Sequence, residues 1–174
     1  HVAFIESLKK MLRQLSAALC LTESETEAVI GTVQLDVRPL ILVIDDDEII
    51  TGMISRVLGE YYRVTCVTKG EEGIIHAQED GPALILLDVN LMSMNGFDVM
   101  LAIKSVEETA DIPVVFMTAD ESGEEEIKGF RSGAADFIRK PFVPEVLVSR
   151  VRKIVELTAL QKHLRREIDR KSVV

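Results

Sequence analysis

Ala83-Leu84-Ile85-Leu86-Leu87-Asp88 is a continuous apolar run that ends abruptly in one carboxylate. It loosens into Val89-Asn90-Leu91-Met92-Ser93-Met94-Asn95-Gly96. A run of this length bounded by turn residues reads as a strand covered on both faces, as in a parallel sheet. Open α/β sheets place their ligand sites beyond the carboxyl ends of the strands, so Asp88 is the first candidate for a reactive group.

Outward from this stretch the same pattern repeats. Leu40–Ile44 reads as a strand ending in Asp45-Asp46-Asp47, Ile49–Leu58 as a helix, Val64–Val67 as a strand and Glu71–Glu79 as a helix. After Ala83–Leu87 come a helix near Phe97–Val106, a strand at Pro113–Met117, a helix at Glu124–Arg131 with an acid-rich first turn, and a short strand at Ala135–Ile138. A last helix runs from Val143 to about Arg170. Strands and helices alternating in this way predict a doubly wound parallel sheet with right-handed crossovers.

The first 37 residues have a different rhythm. Ile5, Leu8, Leu12, Leu15 and Leu19 are spaced 3, 4, 3, 4, the seam of an amphipathic helix. Thr22-Glu23-Ser24-Glu25 has the form of a capping box and predicts a second short helix over about 23–35. Either both helices pack on their own domain or they form a hairpin that pairs two chains. Arg38-Pro39 marks the boundary.

At the other end, Val146, Leu147, Val151, Ile154 and Val155 supply a face for docking on the sheet. Leu157, Leu160, Leu164 and Ile168 carry the stripe farther than a sheet needs, so it requires a second copy or a following domain unless it simply frays.

The 174 residues carry a formal charge of −9, unevenly spread. Residues 38–143 hold 20 acidic against 9 basic groups, whereas residues 144–174 hold 8 basic against 4 acidic. An acidic middle argues against nucleic-acid binding and leaves room for a cation. No apolar run approaches the roughly 20 residues that span a bilayer, and no membrane association is expected. Cys20 and Cys66 have neither metal-ligand spacing nor a disulfide framework, which fits a reducing cytoplasm. A chain opening at His1 is expected to be a segment of a longer protein.

Four strand ends carry polar groups: Asp45-Asp46-Asp47 after the first, Asp88 after the third, Thr118 after the fourth and Lys140 after the fifth. In a parallel sheet these ends share one edge. Singly each has an ordinary explanation: a solvated acidic loop, a helix cap, a Lys-Pro turn. Together they are more specific. Clustered carboxylates repel one another unless a cation sits among them, and oxygen-only ligands on one or two carboxylates suit Mg²⁺. Metal, lysine and hydroxyl together would stabilise the charge of a transferring phosphoryl group.

Ile41-Leu42-Val43-Ile44-Asp45-Asp46-Asp47, Leu86-Leu87-Asp88-Val89-Asn90-Leu91, Met94-Asn95-Gly96-Phe97, Phe116-Met117-Thr118-Ala119 and Gly133-Ala134-Ala135-Asp136-Phe137-Ile138-Arg139-Lys140-Pro141-Phe142 resemble the receiver domain of two-component response regulators. The resemblance spans about residues 39–158. It implies a flavodoxin-like five-stranded sheet of order 2-1-3-4-5, with a helical extension at 1–37, a receiver at 38–158, and a linker or coiled coil at 159–174.

It further implies that Asp88 accepts a phosphoryl group from a histidine kinase or phosphotransfer protein, in a Mg²⁺-dependent reaction for which Mn²⁺ is an alternative ion. Asp46 and Asp88 would ligate the metal directly, Asp45 through water, and Asn90 through its backbone carbonyl. Thr118 and Lys140 would hold the phosphoryl oxygens, Ala119 would keep the approach open, and Lys140-Pro141 would be a cis peptide. Phe137 would be the aromatic switch, turning inward as Thr118 moves toward the phosphate.

Such a domain is regulatory: its only chemistry is phosphoryl transfer to its own Asp88 and slow autodephosphorylation. A homodimer through the terminal helices and a C-terminal output domain outside this chain complete the expectation. One departure is Met92, where the family usually has a proline. Another is Phe137, which lacks the hydroxyl of the tyrosine often found there.

Two other readings compete with this one. The acidic run with Thr118 and Lys140 loosely resembles haloacid-dehalogenase phosphatases, with Asp45 as nucleophile. That leaves Asp88 idle, and no late acidic pair follows Lys140 to hold the metal. The other is a vestigial receiver acting only as an interaction or dimerisation module, against which every acid, Thr and Lys position is filled.

Overall fold

A computed structural model describes residues 10, 11, 14, 22, 38–119 and 123–171. Residues 1–37 and 38–174 are separate compact units. In the first, Lys10, Met11 and Gln14 are helical. The rest of the expected heptad helix, and the expected helix over 23–35, lie outside the described residues.

The second unit runs β1 (Leu40–Ile44), α1 (Glu48–Leu58), β2 (Arg63–Val67), α2 (Gly70–Asp80), β3 (Leu84–Asp88), α3 (Gly96–Lys104), α4 (Glu107–Ala110), β4 (Val114–Thr118), α5 (Glu124–Arg131), β5 (Asp136–Arg139) and α6 (Pro144–Lys171). The five strands form one sheet of order β2-β1-β3-β4-β5, parallel throughout. This is the flavodoxin-like topology.

Every residue of β1, β3 and β4 is buried, because alternate side chains enter opposite cores. Leu42, Ile44, Ile85, Leu87, Val114 and Phe116 face one layer with Ala77 of α2 and Phe97, Val99, Met100 and Ile103 of α3. Ile41, Val43, Leu84, Leu86, Val115 and Met117 face the other with Ile54 and Leu58 of α1 and Leu147 and Val151 of α6. That is why the strand sequences read as unbroken apolar runs and not as alternation.

Local signals set the helices beside the sheet. Asp47 caps α1, its carboxylate accepting from the amides of Ile49 and Ile50 at 2.8 and 3.2 Å. Asn95 caps α3 through the Phe97 amide at 2.9 Å. The next residue must be glycine, because a Cβ on Gly96 would stand 2.2 Å from the Asp88 carbonyl oxygen. This close approach carries the chain away directly beneath the end of β3.

Three details differ from the sequence reading. β3, β4 and β5 each end one residue later than expected, so Asp88, Thr118 and Arg139 are the last strand residues, Asp88 pairing with Met117 and Thr118 with Arg139. The helix expected to reach Val106 ends at Lys104, and Glu107–Ala110 forms a separate turn of helix. There the Thr109 hydroxyl donates to Ile103 O at 2.6 Å and Lys104 Nζ donates to Ala110 O and Ile112 O at 2.7 and 2.6 Å. Val146 does not dock on the sheet: it is exposed, and Leu147 and Val151 are buried in that layer.

Candidate functional site

Parallel strands deliver Asp45, Asp88, Thr118 and Lys140 to the same edge of the sheet. Asp45 follows β1 and is wholly buried. Its backbone amide continues the ladder to Val67 O at 3.1 Å, and its Oδ1 accepts the Asp47 amide at 3.0 Å. Lys140 is anchored by its own amide on Thr118 O at 2.7 Å, and the Lys140–Pro141 bond is cis.

From that anchor the Lys140 ammonium reaches Asp45 Oδ2 at 2.6 Å and Asp88 Oδ1 at 3.0 Å. One cation thus bridges two buried carboxylates. Asp46 lies at the rim, its Oδ2 accepting the Met92 amide at 2.9 Å.

The electrostatics follow from burial. Desolvation raises the Asp88 pKa above the ordinary carboxylate value; Asp45 and Asp46 push the same way, and the Lys140 bond opposes them. For Lys140, desolvation alone would depress the pKa, but the bonds to Asp45 and Asp88 outweigh it and the group is raised. The lysine therefore stays charged at neutral pH between two acids.

The donor set fits a hard cation. One oxygen each from Asp45, Asp46 and Asp88 lies within 4.8 Å of the others, all the ligands are oxygens, and Asp45 Oδ2 is buried with no hydrogen bond beyond its ion pair to Lys140. Asn90, in the loop after β3, pairs with Asn95 across a short antiparallel bridge.

Thr118 is at this edge, but its hydroxyl donates to Glu125 Oε2 in the first turn of α5. Asn90 Nδ2 donates to the other oxygen of the same carboxylate at 3.2 Å. The sequence marks Glu125 only as part of an acid-rich helix start, and its offset of seven positions from Thr118 carries no further signal. Ala119 is exposed beside Thr118.

Phe137 lies inward, 5% exposed, with ring centroids 5.2 Å from both Phe116 and Phe130. Gly129 makes its place: a Cβ there would stand 2.0 Å from Phe137 Cζ. The ring is thus inward while Thr118 is engaged with Glu125, whereas the resemblance tied the inward turn to movement of Thr118 toward a phosphate.

Comparison with known proteins agrees with this architecture. Residues 41–152 match the response regulator receiver domain, and the chain belongs to that family. It is 40% identical over 121 residues to the DNA-binding dual master transcriptional regulator RpaA of Synechocystis, covering 69% of this chain and 50% of that protein. It is 36% identical to the response regulator PleD of Caulobacter vibrioides, over 72% of this chain and 28% of that protein. The chain therefore spans half or less of the length of these relatives.

Among solved structures, the chemotaxis response regulator CheY4 of Vibrio cholerae superposes with a TM-score of 0.64 at 28% identity, over 68% of this chain and 99% of CheY4. Among the described residues, no helix is long and apolar enough to cross a membrane.

Proposed function

We propose that Asp88 is a phosphoacceptor and that the chain works as a phosphorylation-switched regulatory module, its donor a histidine kinase or phosphotransfer protein. The observation that carries this reading is the position of the Asp88 carboxylate: at the end of β3, 3.0 Å from Lys140, and within reach of Asp45 and Asp46.

In the reaction, an Asp88 carboxylate oxygen forms a bond to phosphorus. The bond from phosphorus to the donor nitrogen or oxygen breaks, and its electron pair leaves with the donor. Asp46 and Asp88 would hold Mg²⁺ directly, Asp45 through water, and Asn90 through its backbone carbonyl, with Mn²⁺ as an alternative. Bound there, the cation supplies positive charge against the carboxylates and the incoming phosphoryl oxygens. Lys140 pairs with a phosphoryl oxygen, Thr118 donates its hydroxyl to another, and exposed Ala119 leaves the approach to Asp88 open. Slow attack by water on phosphorus returns Asp88 to a carboxylate and releases phosphate.

The test is intact-mass analysis after incubation with Mg²⁺ and acetyl phosphate. One added phosphoryl group is expected, lost in Asp88→Asn and retained in a chain altered only at an exposed site such as Glu156→Gln. Labelling that survives Asp88→Asn but disappears with Asp45→Asn supports the phosphatase reading instead.

The C-terminal half of α6 supports a second element. Leu157, Leu160, Leu164 and Ile168 are each more than half exposed, on a helix that continues beyond Leu147 and Val151, its last buried residues. We infer that a second copy of the chain covers this stripe, giving a homodimer, and that an output domain outside residues 1–174 reads it. Sedimentation equilibrium should give a dimer that Leu157→Glu with Leu164→Glu converts to monomer; a concentration-independent monomer mass for the unaltered chain contradicts it.

A further inference from the structure

We propose that Glu125 is an internal stand-in for the phosphoryl group, occupying the Thr118 hydroxyl until phosphorylation displaces it. This rests on the phosphoacceptor reading of Asp88.

A threonine hydroxyl carries one proton and can satisfy one acceptor at a time. In this structure the Thr118 hydroxyl gives that proton to Glu125 Oε2, and Asn90 Nδ2 donates to Glu125 Oε1 at 3.2 Å. The two donors come from the last residue of β4 and the loop after β3, and each takes one carboxylate oxygen. A half-buried carboxylate is an acceptor-only anion, as is a phosphoryl group, and hydrogen bonds to such anions are the strong, charge-assisted kind.

The geometry makes the two states exclusive. When Thr118 donates to a phosphoryl oxygen on Asp88, Glu125 loses its hydroxyl partner and faces a like charge. In the same first turn, Glu126 Oε2 meets Arg139 Nη2 at 3.0 Å, a second contact between the start of α5 and the carboxyl end of the sheet. Glu125 is thus a positioning residue: it touches neither donor nor acceptor of the transfer, and acts by holding Thr118 and Asn90 in the unphosphorylated arrangement.

The consequence is measurable as affinity for a phosphoryl analogue. Beryllofluoride forms a tetrahedral adduct on a carboxylate oxygen and can be titrated by ¹⁹F NMR on the full chain in saturating Mg²⁺. Glu125→Ala is expected to lower the half-saturating beryllium concentration about tenfold, equivalent to about 1.4 kcal/mol. Glu125→Gln, which keeps an acceptor of the same shape but removes the charge, should fall between Ala and the unaltered chain. In a Thr118→Val background the effect of Glu125→Ala should largely vanish, because the contested donor is gone.

A Glu125→Ala titration that overlays the unaltered chain, or an effect that persists undiminished in Thr118→Val, overturns the proposal for Glu125 while leaving Asp88 as acceptor. If neither the unaltered chain nor any variant gives bound-fluoride lines that depend on Asp88, the phosphoacceptor reading fails and this inference fails with it.

Discussion

Leu84–Leu87 in β3 and the Leu157, Leu160, Leu164, Ile168 stripe of α6 are built from the same aliphatic material and are used in opposite ways. The four strand residues are fully buried, two in each core, each worth about 1.5–3 kcal/mol of burial relative to exposure. The four helix residues are more than half exposed and leave much of that stabilisation unused. Strand burial ends in a finished arrangement, with Asp88 held against Lys140 and Asp45. The helix stripe ends in a surface that is more than half exposed along its length.

If that contrast is right, the effects of substitution should decline from the buried cluster outward. Lys140→Met leaves Asp45 and Asp88 buried without their shared cation, and loss of one partner of a buried ion pair costs about 3–5 kcal/mol. Urea unfolding at neutral pH should show a loss of that order, partly recovered by millimolar Mg²⁺. A loss below about 1 kcal/mol would place the cluster in the class of surface pairs and erase the contrast.

Gly129→Ala is expected to come next. The new methyl overlaps the Phe137 ring, and overpacking typically costs about 1–3 kcal/mol. Better helix propensity returns up to about 1 kcal/mol. The net loss, about 1–2 kcal/mol by urea unfolding, should come with greater exposure of the ring to solvent, readable from Phe137 contacts in NMR. A more stable variant with the ring unmoved would remove Gly129 as the reason Phe137 lies inward.

The pH dependence tests the same cluster with a smaller effect. Asp88 has a raised pKa in the folded state, so its contribution to stability is fully present below its unfolded pKa and is lost as pH rises through the raised folded value. Asp88→Asn should therefore be the more stable chain at neutral pH in Mg²⁺-free buffer, with the gap closing as pH falls through the carboxylate range. Lys140, also raised, keeps its contribution up to the ordinary lysine range and loses it only in alkali. The smallest effect belongs to α6: Arg165 meets Asp111 at 2.7 Å, but both side chains are well exposed. Arg165→Ala should cost at most about 1 kcal/mol in the same urea assay.

What the sequence disclosed follows the same gradient. Burial on both faces leaves a signature in every residue of β1, β3 and β4, and the parallel order then forces Asp45, Asp88, Thr118 and Lys140 to one edge. Periodicity could not disclose Glu107–Ala110, a single turn fixed by Thr109 and Lys104 side chains on backbone carbonyls. Nor could it separate exposed Val146 from buried Leu147, since the choice depends on the angle at which α6 meets the sheet. Glu125 was hidden for a related reason. Its role depends on how closely the first turn of α5 approaches the end of β4, and an acid-rich first turn is what any helix start prefers. Phe137 lies inward because a residue eight positions earlier has no side chain.

The most direct test of the central claim is the chemical identity of the modified residue. After incubation with acetyl phosphate and Mg²⁺, borohydride reduction of an acyl phosphate converts the aspartate that carried it to homoserine, which peptide sequencing by mass spectrometry locates. Homoserine is expected at position 88 alone. Homoserine at 45 or 46, or a phosphoryl group recovered on a serine, threonine or histidine with Asp88 unchanged, would contradict it.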